Sequence, residues 1–185
     1  MASKCNGRSC GLPLDLLGDH RASYSAAGRL KWRAMPFERM LARVGREAGA
    51  RVRMHVLVRD LDVPGVHPDD GRKIEVIMEG TPLYGGRQLA VDATLVSPLG
   101  RDGGVKFASD SVDGAALATA RAKKETDTYA DVVRSHRCQF LTAGMEVGGR
   151  WAPGFVGFLR ALARFRAESA PARLRVGAKR WWYRR

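Results

Sequence analysis

Asp92 stands in the middle of an apolar run, Leu89-Ala90-Val91-Asp92-Ala93-Thr94-Leu95-Val96. A carboxylate there is costly to bury unless it is paired or bound to a metal. Upstream, Lys73, Glu75 and Ile77 alternate with Ile74, Val76 and Met78, so Glu75 shares a strand face with Lys73 and Ile77. If the two segments pair as antiparallel strands in the right register, Glu75 and Asp92 face each other. Two such carboxylates repel, and a divalent cation is one relief. A hard cation so placed lowers the pKa of a bound water and neutralises charge on a phosphodiester. The structural alternative is an exposed Glu75, with Asp92 held by a helix N-terminus or a nearby arginine. The residue types by themselves favour that alternative somewhat.

Two further groups could carry chemistry. Arg121-Ala122-Lys123-Lys124, with Tyr129 beyond, reads as helix. Lysines on a helix usually form a solvated face, but Lys123 or Lys124 could lean over the acidic pair and bind a phosphate. Cys5, Cys10 and His20 are zinc ligands in kind, but structural zinc takes four, and position 24 holds Tyr. The expectation is that no zinc is held and that these are unpaired loop cysteines.

Charge points to the partner. The 185 residues carry 32 Lys+Arg against 19 Asp+Glu, a net +13. A field of that sign attracts polyanions, of which nucleic acid is the commonest in a cell. From Arg150 to the end there are ten basic residues and one acid, Glu168. Arg150, Arg160, Arg164, Arg173, Arg175, Lys179 and Arg180 are the candidate phosphate contacts, with Trp181 and Trp182 as stacking platforms for bases. A merely soluble basic protein is the plainer reading of the same composition. No apolar run reaches the roughly 18 residues that would span a bilayer, and the N-terminus has no apolar signal segment. Three cysteines make no disulfide framework. These features predict an intracellular protein that is neither secreted nor membrane-bound.

The elements that must position these groups follow from periodicity. Residues 1–30 read as a loop-rich segment. A helix is predicted from Pro36, where a missing N–H costs nothing in a first turn. Phe37, Met40, Leu41, Val44 and Ala48 form its apolar stripe, and Gly49 its stop. Val52, Met54, Val56 and Val58 alternate as one face of a strand. Strands over Lys73–Glu79 and Gln88–Val96 are joined by a connection too short for a crossover helix, hence antiparallel. A helix over 113–136, a strand over 137–145 and a helix over 153–167 follow. A basic tail, 171–185, ends the chain. The order helix, three strands, helix, strand, helix predicts an α/β layered domain over 31–170, with a mixed sheet flanked by helices.

The segment 14–20, the helix from Pro36, Arg72-Lys73-Ile74-Glu75-Val76, the run 91–99, and Arg121-Ala122-Lys123-Lys124 with Tyr129 resemble the C-terminal region of non-LTR retrotransposon polyproteins, particularly algal and dinoflagellate copies. Such regions carry a cysteine/histidine motif and then a restriction-like endonuclease domain of the PD-(D/E)xK superfamily, which nicks target DNA to prime reverse transcription. The resemblance covers about residues 5–151. It implies that Glu75 and Asp92 bind Mg²⁺ or Mn²⁺. Thr94 stands where the usual lysine would be, Lys123 or Lys124 supplies that charge from the helix, and Glu38 matches an accessory acid. It further implies DNA (or RNA) as partner and a nuclear location. Three departures matter: Ile74-Glu75 replaces the expected proline–aspartate pair, Tyr24 replaces a cysteine, and residues 1–30 ahead of the domain hold no reverse transcriptase. They leave room for a copy that keeps the fold without the activity. A non-catalytic DNA- or RNA-binding module is the alternative from another class.

Overall fold

In a computed structural model, the described residues are Gly11 and 29–184, apart from 82 and 101–103. Apart from Gly11 and residues 29–30, the predicted N-terminal loop, with Cys5, Cys10, His20 and position 24, lies outside them. The ordered elements are α1 (Arg29–Glu47), β1 (Arg51–Leu57), β2 (Lys73–Glu79), β3 (Gln88–Val96), α2 (Ala115–Lys123), a π-helical turn (Lys124–Thr128), α3 (Ala130–Arg134), β4 (Cys138–Glu146), α4 (Pro153–Glu168) and α5 (Arg175–Arg184). The four strands form one mixed sheet in the order β1-β2-β3-β4. β1–β2 and β2–β3 are antiparallel, and β3–β4, joined through helices, are parallel.

Helices cover both faces. On one, Phe37 and Leu41 of α1 and Phe155, Phe158 and Leu162 of α4 bury Val76, Met78, Leu89, Val91 and Ala143 of the sheet. Full burial of such side chains contributes about 1.5–3 kcal/mol each. α1 comes close because residue 45 is glycine: a Cβ there would lie 2.9 Å from the Met78 sulfur and 3.1 Å from Val52. On the other face Tyr129 and Val132 pack over Ile77, Ala90 and Phe140.

Four local expectations are corrected. α1 begins at Arg29, so Pro36 lies inside it; the ring removes one backbone bond, and the helix continues N-terminal to it. β1 does not keep one face. His55 adopts φ 54°, so Val52 and Met54 join the α1–α4 core while Val56 and Val58 join the other. The helix predicted over 113–136 is split by the π-helical turn, closed by Tyr129 N–H donating to Lys124 O at 2.9 Å. The C-terminal tail is not loose: after Pro171 it re-forms as α5 and packs on α4, with Trp182 partly buried against the core.

Candidate active site

The ladder between β2 and β3 pairs Met78 with Leu89, Ile77 with Ala90 and Val76 with Val91. One step further the same register sets Glu75 opposite Asp92, but the strands part there. The Ala93 N–H is taken instead by the Glu75 side chain, whose Oε2 accepts it at 3.3 Å. Two acids are thereby brought together where the sheet opens.

Asp92 is fully buried. Both its oxygens are engaged: Lys124 Nζ donates to Oδ1 at 2.7 Å, and the Thr94 hydroxyl donates to Oδ2. Glu75 is the group left in surplus. Burial and the neighbouring Asp92 carboxylate push it up to about 7, against a weaker opposing pull from Lys124. One ammonium among two carboxylates leaves the cluster short of positive charge. A hard divalent ion of the magnesium type suits that deficit, since it needs only one or two protein carboxylates and keeps its waters. Among the described residues no group of three or more His, Cys, Asp and Glu converges to hold a metal.

The lysine is delivered by the π-helical turn. Lys124 and Tyr129 are five residues apart, so a regular α-helix would splay them by roughly 140°. The wider turn lets both face the sheet, with the Lys124 ammonium 5.4 Å from the Tyr129 ring centre. Tyr129 is anchored through its hydroxyl, which donates to Lys73 O at 2.7 Å. Its phenol is held above the ordinary tyrosine range by burial and by the Asp92 and Glu75 charges.

Arg72, which sequence reasoning passed over, locks this arrangement. Its guanidinium reaches Asp70 Oδ2 at 2.6 Å and Asp131 Oδ1 at 3.0 Å, and it also donates to Thr128 O. Asp131 and Asp70 are held below the usual carboxylate range by their hydrogen bonds with Arg72, and Arg72 is raised in turn. The entry to β2 is so tied to the turn that carries Lys124. Nothing local in the sequence marks this link, because Asp131 is 59 residues from Arg72.

The remaining candidates lie elsewhere. Lys123 is exposed and makes no bond to the acids. Glu38 is buried on α1 and faces His55, whose Nε2 lies 3.7 Å from Glu38 Oε2; it makes no bond to Glu75 or Asp92. Arg150 pairs with Asp113 at 2.9 Å and with Glu146 at 3.5 Å. Arg160, Arg164, Arg173, Arg175, Lys179 and Arg180 are exposed on and around α4 and α5, as is Trp181. These helices belong to the layer opposite the Asp92 face. Trp182 packs against the core rather than standing free. No helix among the described residues is long and apolar enough to cross a membrane. No protein-family model matches this chain, and no curated protein or solved structure matches it.

Proposed function

We propose that the chain is a divalent-metal-dependent DNA endonuclease domain, restriction-like in fold and of the kind carried by non-LTR retrotransposons. The supporting observation is the convergence of Glu75, Asp92 and Lys124 where β2 and β3 part. The mixed sheet flanked by helices is the architecture the resemblance implies. In this reading Glu75 and Asp92 would hold Mg²⁺ or Mn²⁺, which when bound supplies an activated water and neutralises phosphate charge. Thr94 fixes one oxygen of Asp92, so the other is the one that Lys124 shares. The Lys124 ammonium, on a side chain still partly open to solvent, is the group that offsets charge on a bound phosphodiester, in place of the lysine absent at position 94. In the metal-free site burial and Asp92 push Glu75 up to about 7, so binding of the cation would release the proton that this carboxyl holds. A DNA substrate would go with a nuclear location.

A second reading has its own observation. Both Asp92 oxygens are already satisfied by Lys124 and Thr94, which is how a purely structural buried pair looks. The exposed cations of α4 and α5 would then make a non-catalytic DNA- or RNA-binding module.

Plasmid nicking with Mg²⁺ or Mn²⁺ separates the two. Asp92→Asn is expected to abolish nicking by the protein while leaving DNA binding within about twofold. No cutting with either metal leaves the binding module as the function, and equal cutting by parent and variant removes Asp92 from the chemistry.

A further inference from the structure

Next to the acidic centre lies a cavity that the proposed chemistry does not use. It occupies about 450 Å³ between α2 and β4, within the range of small-ligand pockets. Its walls include Leu117 and Ala118 of α2, and Phe140 and Thr142 of β4, with Tyr84 beside them. Thr142 is the direct strand partner of Asp92 and shares its face. The Thr142 hydroxyl is buried and has no hydrogen-bond partner among the described residues. Leaving a buried polar group unmet is costly, so an unpaired hydroxyl on a cavity wall points to a ligand atom that completes it.

The cavity has a polarity. A second cavity of about 170 Å³ shares Arg121, Glu125, Gln139 and Phe140 with it and adds Arg87 and His136. Glu125 offsets one arginine, pairing with Arg121 at 2.8 Å. Arg87 has no acidic partner among the described residues and is held at the smaller cavity by Gln139 Oε1 and Tyr84 O. Tyr84 itself takes φ 54°, a left-handed conformation that a bulky residue rarely adopts. A mostly apolar chamber with one unmet hydroxyl, whose acids Asp113 and Glu125 are paired with Arg150 and Arg121 and which opens toward Arg87, matches a nucleobase joined to a phosphate.

We propose that this cavity receives one unpaired nucleotide of a DNA strand, its base against Leu117 and Phe140 and hydrogen-bonded to Thr142, its phosphate at Arg87 and Arg121. The cavity thereby selects single-stranded or flipped-out substrate beside the acidic centre. The proposal rests on the nucleic-acid reading above, but not on cleavage.

The test is methyl NMR of the full chain in EDTA, titrated with thymidine 5′-monophosphate. Methyl resonances of Thr142 and Leu117 are expected to shift saturably at millimolar nucleotide. Thr142→Val should weaken binding at least fivefold while raising Tm, because it removes an unmet hydroxyl; the rise in Tm separates lost binding from lost fold. Ala118→Trp, a change at an exposed position on the cavity wall, should abolish the shifts, and Arg87→Gln should weaken them. Silent methyls, equal shifts with inorganic phosphate alone, or shifts produced by an extended peptide adding to β4 and not by the nucleotide would each overturn the proposal. Nicking that depends on Asp92 together with silent methyls removes the cavity and keeps the nuclease. Saturable shifts without nicking do the reverse.

Discussion

Lys124 Nζ lies 2.7 Å from Asp92 Oδ1, and the lysine reaches it from the first residue of a π-helical turn. The pair joins the fully buried centre of β3 to a side chain still 29% open to solvent. The two partners are therefore unequal. Lysine can withdraw to water when its acid is removed, whereas the aspartate cannot.

Lys124→Met should cost about 3–5 kcal/mol, the usual penalty for stranding one member of a buried pair. Asp92→Asn should cost distinctly less, since the amide keeps the Thr94 contact and the freed ammonium can hydrate. Lys123→Met, one residue away and exposed, should change stability by no more than about 0.5 kcal/mol. Urea unfolding of the three variants measures this order; equal losses at 123 and 124 would mean that the pair contributes nothing.

The pH dependence follows from Glu75, which moves from 4.5 to about 7 in the folded protein. Its native form holds a proton that the unfolded chain has released, so between those values the folded state binds more protons. Stability from this group is full below pH 4.5 and is lost as pH rises toward 7. In metal-free buffer the loss should be on the order of 2 kcal/mol, after allowance for partial exposure. Glu75→Gln should flatten the curve over that interval. An unchanged slope in chemical denaturation at stepped pH would show that the carboxyl is not perturbed.

How much of this was legible in the sequence depended on range. β2 and β3 were read with their bounds intact because alternation and short apolar runs are local signals, and the facing of Glu75 and Asp92 followed from them once the register was right. The π-helical turn was missed: Ala115–Lys124 is Ala- and Lys-rich and reads straight on into Ala130–Arg134, although Thr126-Asp127-Thr128 between them are weak helix formers, and the split lets Lys124 and Tyr129 both face the sheet. His55 was equally hidden, since nothing in Val52–Val58 marks a positive φ. Residues 171–185 were read only as a basic tail, whereas a helix re-forms there and Trp182 packs against the core. The cysteine/histidine motif falls outside the described residues.

Arg72 offers a check on the positioning network. Arg72→Gln breaks its contacts with Asp70, Asp131 and Thr128 O at once. The side chain is 32% exposed, so the two acids can partly rehydrate, and the cost should be about 1–3 kcal/mol. The nicking rate, if the nuclease reading holds, should fall with it because the turn bearing Lys124 is no longer tied to β2. Arg72→Lys should restore little, since an ammonium cannot fork between two carboxylates. Full rescue by lysine would reduce the network to simple charge balance.

The basic helices give the last prediction. Because α5 packs on α4 and Trp182 on the core, deleting everything after Pro171 would confound lost charge with lost packing. Substitution is the cleaner route. Arg173, Lys179 and Arg180 are exposed and make no ion pair among the described residues, so replacing all three with Gln should leave Tm nearly unchanged. If each contacts one phosphate of a duplex, the log–log salt slope should become less steep by about 3. Affinity should fall with it, most strongly at low salt. These residues lie in the layer opposite the Asp92 face, so Asp92→Asn should leave that slope untouched, and the triple variant should leave binding of thymidine 5′-monophosphate untouched. Slope and affinity measured by fluorescence anisotropy on a short duplex decide the matter. An unchanged slope would make this face a solvated surface and move the phosphate contacts to the arginines around β4.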